Sequence, residues 1–252
     1  MKNILIAISL TLAFGTAQAK RHYEYTPLPT ESYLVADADG KIITEQEADK
    51  VRPIASISKL MTTLLASEQD LEEQLDIPKH REVQSSIPYR VKTMARKDLI
   101  ELALIKSDNL AAQVLCTNIP DCVDNMNLRA QQLGMTDTYY IEPTGLDKSN
   151  VSTAKDLLKL VMVSMLNPVL TELSSMAEAT IPIDHGKIRI HNTNPLTSTL
   201  DVVLSKTGFT KPAGGCMVMA INTDEGKRIY ILLGSKNTRT RVPDIKRLVA
   251  KA

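Results

Sequence analysis

The chain has 252 residues, 43% of them hydrophobic, which is ample for one sizeable core. Its 30 Lys and Arg nearly cancel 29 Asp and Glu, it has no Trp, and aromatics make up only 4%. Neither a polyanion-binding surface nor a base-stacking platform is expected, so nucleic acid is excluded as a partner.

Residues 1–19 read as a secretory signal: Lys2 is a short positive segment, an apolar stretch follows to Phe14, and Ala17-Gln18-Ala19 is a small-x-small cleavage site. Removing it deletes one lysine and brings the formal charge from +1 to zero. No later run is apolar and long enough to span a membrane. The expectation is an exported, periplasmic protein with no transmembrane anchor after signal removal.

Residues 20–31 form a lead-in. Strands are expected at 32–37 and 41–44, around the turn Asp37-Ala38-Asp39-Gly40. A helix begins at Ser56, with Ile57, Leu60, Met61, Leu64 and Leu65 at helical spacing. Residues 70–96 are polar and broken by Pro78 and Pro88. Helices follow at about 97–106, 109–117 and 123–133, the last stopped by Gly134. Thr153, three before Asp156, starts a helix running to about Met165. Residues 179–183 and 187–191 form a hairpin, and 202–209, 216–222 and 228–234 a three-stranded meander with Gly-rich turns. A last helix is placed at Pro243, which suits a first helical position.

Strands at both ends and helices between them predict an α+β chain. One antiparallel sheet is built from both chain ends and flanked by helices, with an inserted helical subdomain. Beyond the signal, residues 20–252 are read as one catalytic domain. Its sheet part is about 20–56 and 200–252, and its helical part about 57–199. Ser56 then falls where the two layers meet, a natural cleft. Cys116 and Cys122 bracket a short loop and are either a disulfide or two separate thiols; Cys216 is a small core residue. No Cys/His spacing resembles a metal site, His22, His80, His185 and His191 have no ligand-like neighbours, and no cofactor is expected.

Three motifs carry chemistry, in order: Ser56-Ile57-Ser58-Lys59, Ser107-Asp108-Asn109 and Lys206-Thr207-Gly208. Each alone is weak. A second S-x-x-K at Ser152 to Lys155 is more simply a helix start, and Ser235 to Asn237 a surface turn. In the first motif, residues three apart on a helix share a face, so the Lys59 amine can reach Ser56 Oγ and take its proton. That requires a neutral amine, although free lysine titrates near ~10.4. Burial, the positive end of the helix and Lys206 as a second cation would each lower its pKa. Ser107 could relay a proton to a leaving amine, and the Asn109 amide could orient Lys59 and bond substrate; a plain helix cap is the competing reading. Lys206 and Thr207 on an edge strand could bind a terminal carboxylate. Gly208 would let a peptide backbone approach, and the N–H groups of Ser56 and Phe209 would form an oxyanion hole.

The ordered set S-x-x-K, S-D-N, K-T-G resembles that of class A β-lactamases and penicillin-binding proteins. With residues 52–61, 142–146, 151–157, Asn192-Thr193-Asn194 and 206–210, through Thr210, the chain looks like the serine DD-peptidases of family S11. Within them it most resembles the periplasmic DD-endopeptidases of the penicillin-binding protein 7 type. The resemblance implies a β-lactamase/DD-peptidase-like fold and acylation of Ser56 by D-alanyl peptide stems of peptidoglycan. It also implies hydrolysis of the acyl-enzyme by water, and β-lactams as covalent inhibitors. Phe209 and Thr210 join the substrate-binding residues on the same ground. The extra C-terminal domain and amphipathic anchor of membrane-attached carboxypeptidases are not expected. A DD-carboxypeptidase shares all three motifs. A class A β-lactamase would add Glu-Pro-x-Leu-Asn, which Glu142-Pro143-Thr144-Gly145 matches only in its first two residues. An inactive peptidoglycan-binding module would have lost a motif residue, and none is lost.

Overall fold

The computed structural model describes residues 30–250, so the signal-like segment 1–19 lies outside the described residues. In chain order the elements are β1 (Ser32–Asp37), β2 (Ile42–Gln46), β3 (Arg52–Pro53) and, after a 3-10 turn at Ala55–Ile57, α1 (Ser58–Ala66). Next come β4 (Gln74–Asp76), β5 (Thr93–Ala95), α2 (Arg96–Glu101), a π-helical stretch Leu102–Lys106, α3 (Asn109–Thr117) and α4 (Cys122–Gln132). Then follow β6 (Val151–Ser152), α5 (Ala154–Ser164), α6 (Pro168–Ser175), β7 (Glu178–Ile183) and β8 (Gly186–His191). The last elements are β9 (Val202–Thr210), β10 (Gly214–Thr223), β11 (Gly226–Ser235) and α7 (Thr238–Val249).

The main sheet is antiparallel, in the order β2-β1-β11-β10-β9, so both chain ends contribute to it as expected. Successive strand residues point to opposite faces. Leu34, Ala36, Val218, Ala220, Ile229, Ile231 and Leu233 therefore join one apolar cluster with the central helices. Tyr33, Val35, Met217, Met219, Tyr230 and Leu232 pack on Ile245 and Leu248 of α7. With both faces covered, the central strands read as nearly unbroken apolar runs. β9 is left at the edge, as its motif requires.

The differences from the sequence reading are local, α6 being one helix it did not place. Besides the expected β7–β8 hairpin, the inserted helical region carries a short β4–β5 ribbon, and its β6 pairs with β3. The β4–β5 ribbon lies in the stretch read as polar and irregular, because three-residue strands are too short to show a period. The buried Arg96 guanidinium holds that ribbon, donating to Asp70 O at 3.0 Å and pairing with Glu73. The last helix starts five residues before Pro243: Asn237 and Thr240 form a capping box, and Pro243 sits inside α7. That cap lies in the segment taken for a surface turn. Cys116 and Cys122 are bonded, with Cα atoms 5.4 Å apart, and Cys216 is a buried thiol whose pKa burial pushes up to about 11.

Candidate active site

The nucleophile turn is built from its backbone upward. Ala55, at φ 48°, opens the 3-10 turn Ala55–Ile57, which carries Ser56 and feeds α1. Ser58 Oγ donates to Ala55 O at 2.9 Å and accepts from Asn150 Nδ2 at 2.9 Å. The turn rests against β9, where an added Cβ on Gly208 would lie 2.9 Å from Ser56 N and 3.1 Å from Ile54 O. Only glycine fits that approach without moving backbone.

Lys59 is fully buried one turn along. Its Nζ lies 3.1 Å from Ser56 Oγ, 2.8 Å from Asn109 Oδ1 and 2.7 Å from Thr144 O. Burial lowers its pKa from 10.5 to about 7, against the opposing pull of Glu142 and then Asp108. A neutral amine has two N–H bonds and one lone pair. Asn109 Oδ1 and Thr144 O can only accept, so they take the two N–H groups, and the lone pair is left facing the Ser56 hydroxyl. Of the three causes named from sequence, burial is the one that lowers Lys59; Lys206 is not among its causes, and is itself held well below the usual range by burial, then by repulsion from Lys59 and Arg241.

The second motif caps a helix and also turns two of its side chains to the two lysines. Asp108 is the α3 cap, accepting from Ala111 N at 3.0 Å. Ser107, at φ 60°, ends the π-helical stretch in the left-handed region and presents its hydroxyl to Lys206 Nζ at 2.9 Å. Asn109 faces Lys59. The π stretch fits this break: the Ile105 carbonyl turns out to accept from Thr193 N, at 3.0 Å, instead of continuing the ladder.

On β9, Lys206 Nζ also donates to its neighbour's carbonyl, Thr207 O, at 2.9 Å. The Thr207 and Thr193 hydroxyls are 2.6 Å apart. Phe209 is 44% exposed at the rim. The Thr210 hydroxyl accepts from Ala213 N at 3.3 Å, which closes the β9–β10 turn. Of the nine residues singled out from sequence, Thr210 is thus the one whose polar atom is engaged in a turn, while Ser56, Lys59, Ser107, Asn109, Lys206, Thr207 and Gly208 converge.

Four further residues belong to this constellation. Thr144 supplies a carbonyl to Lys59, and Thr193 meets Thr207. Arg241 of α7 donates to Gly208 O at 3.0 Å and Thr193 O at 3.5 Å, stapling the edge strand to the turn after β8. Glu142 accepts from Thr144 N, Thr144 Oγ1, Gly145 N and Asp147 N. Both its oxygens are engaged by its own loop, unlike a glutamate free to position water. Thr144, Thr193 and Glu142 lie in stretches that carry the resemblance, but nothing in those stretches gives them a role. Arg241 is a lone arginine in a terminal helix, without any sequence signal.

Comparison with known proteins agrees with this geometry. Residues 19–237 match the family described as D-alanyl-D-alanine carboxypeptidase, peptidase family S11. The chain is 36% identical to the D-alanyl-D-alanine endopeptidase of Pseudomonas aeruginosa, over 97% of this chain and 86% of that protein. It is also 36% identical to the enzyme of the same description from Escherichia coli K12, over 96% and 81%. Among solved structures, penicillin-binding protein D2 of Listeria monocytogenes in its ampicillin-bound form superposes with a TM-score of 0.81 and 31% identity, covering 90% of this chain and 98% of that one. Sequence and superposition converge on one assignment, and the chain belongs to the S11 family of serine DD-peptidases.

Proposed function

We propose that the chain is a serine DD-endopeptidase that opens D-alanyl cross-links between the peptide stems of peptidoglycan through an acyl-enzyme on Ser56. The carrying observation is the Lys59 amine, buried, pulled to about 7 and held 3.1 Å from Ser56 Oγ. Ser56 Oγ attacks the D-alanyl carbonyl carbon while its proton passes to Lys59 Nζ. The N–H groups of Ser56 and Phe209, beside the close approach at Gly208, are assigned to the developing oxyanion. The C–N bond then breaks, and the leaving amine takes a proton delivered from Lys59, with Ser107 as relay. Water next adds to the acyl carbon and gives its proton to Lys59; the ester bond breaks and the proton returns to Ser56.

Lys206, Thr207 and Thr193 are assigned to the carboxylate of the substrate. An arriving carboxylate would restore the charge that burial suppresses on Lys206. A β-lactam carries a carboxylate and a reactive carbonyl in one small body, and we assign it to the same site as a covalent inhibitor. The endopeptidase reading draws on the two relatives so described, and a periplasmic location on the signal-like residues 1–19.

Two measurements test this. A fluorescent penicillin should label the protein once per chain, and Ser56→Ala should abolish the label while leaving the circular dichroism spectrum unchanged. Purified protein should convert cross-linked muropeptide dimers to monomers; release of terminal D-alanine alone, from a pentapeptide monomer, would make it a carboxypeptidase.

A further inference from the structure

The two acceptors that aim Lys59 come from segments 50 and 85 residues away in sequence. Each is organised by a carboxylate that is not itself hydrogen-bonded or ion-paired to the amine among the described residues. Asp108 caps α3 through Ala111 N, at 3.0 Å. It also accepts from Ser85 Oγ at 2.9 and 3.0 Å and from Ser86 N at 2.5 Å, which fastens that loop to the turn carrying Asn109. Glu142 takes four donors of its own loop, from Gly145 N at 2.5 Å to Asp147 N at 3.4 Å. The fold of that loop brings the Thr144 carbonyl onto Lys59. The loop is pressed against the nucleophile turn so closely that a Cβ on Gly145, at φ +77°, would meet Ala55 O at 1.8 Å.

We propose that Glu142 and Asp108 are the positioning residues of the base: each sets one of the two acceptors that aim the Lys59 lone pair at Ser56, and each places a negative charge behind it. This rests on the reading of Ser56 as nucleophile and Lys59 as base. The charged groups around Lys59 are Glu142 from the loop before β6, Asp108 from the α3 cap, Lys206 from β9 and, behind it, Arg241 from α7. Burial pulls the amine down, and the two carboxylates hold it up. Removing either negative charge leaves burial less opposed. The amine then loses its proton at lower pH, and as a weaker base it acts more slowly on the plateau.

The test is the second-order rate of acylation by a fluorescent penicillin, followed from about pH 5 to pH 9 in the full protein. Glu142→Gln and Asp108→Asn should each move the acid limb down by about one pH unit, the low end of what a nearby opposite charge exerts. Glu142→Asp keeps the charge and should keep the limb. Asp108→Asn retains a good helix cap, so it remains informative even if Glu142→Gln fails to fold. Acid limbs that stay in place or move upward would overturn the inference alone. A wild-type protein that takes no label, or a Ser56→Ala protein that still does, overturns the reading of the site and this inference with it.

Discussion

Lys59 carries a tension between stability and chemistry that can be measured. A group whose pKa is 10.5 in the unfolded chain and about 7 in the fold makes the unfolded state bind more protons between those values. Stability therefore rises with pH across that window, and at pH 7 or below this one burial costs roughly 5 kcal/mol relative to strongly alkaline solution. Lys59→Met removes the term but leaves two acceptors short of donors, each worth about 1–3 kcal/mol. The variant should be unlabelled by penicillin. Its stability relative to wild type, from urea denaturation, should be greatest near pH 7 and shrink steadily towards pH 10. A difference that does not change with pH would mean that Lys59 keeps its charge in the fold. At this scale the Ser56–Lys59 pair was legible, because two residues one helical turn apart meet whatever the rest of the chain does. Burial was legible as one cause of the lowered pKa; that it acts without help from the Lys206 charge was not, since burial is a property of everything packed around the amine.

At the scale of elements, α3 is held at both ends. Asp108 secures the end that carries Asn109, and the Cys116–Cys122 bond ties the other to α4. Closing so short a loop is worth about 2 kcal/mol through the unfolded chain. Replacing both cysteines by Ser should lower stability by about that amount, read by thermal or urea unfolding. Penicillin acylation well below the transition should change less than twofold, because Asn109 is held separately. A large loss of acylation in a folded Cys116→Ser/Cys122→Ser protein would show that the bond positions the site. Helices with a clear apolar period and strands with alternation were readable within a few residues. The exceptions have local causes. A proline that fits a first helical turn also tolerates a place one turn inside α7, and the Asn237–Thr240 box that starts this helix is visible only once both side chains are seen to bond. The π stretch before Ser107 has no sequence period of its own. It ends where the Ile105 carbonyl accepts from Thr193 N.

The whole molecule brings the cleft together from distant parts of the chain. Lys206 Nζ meets Ser107 Oγ across 99 residues, and one apolar cluster runs from the sheet through the central helices. A site that spans both layers of a shared core should be lost with that core. In urea, the far-ultraviolet circular dichroism transition and the loss of acylation competence should have the same midpoint. Acylation that disappears well before the helices melt would divide the sheet and helical parts into separately folding units.

The amino-acid sequence by itself determined the three motifs, their order, the α+β arrangement and the edge strand that bears Lys206. Those features depend on spacing within a turn or along a strand, where near neighbours set the geometry. Only the tertiary structure decided which groups surround the reactive pair. The Thr144 carbonyl, the Glu142 and Asp108 carboxylates, Thr193 and Arg241 reach the cleft through packing between residues tens of positions apart. Burial of the base, and with it the proton affinity on which the chemistry turns, exists only when those distant segments close over it.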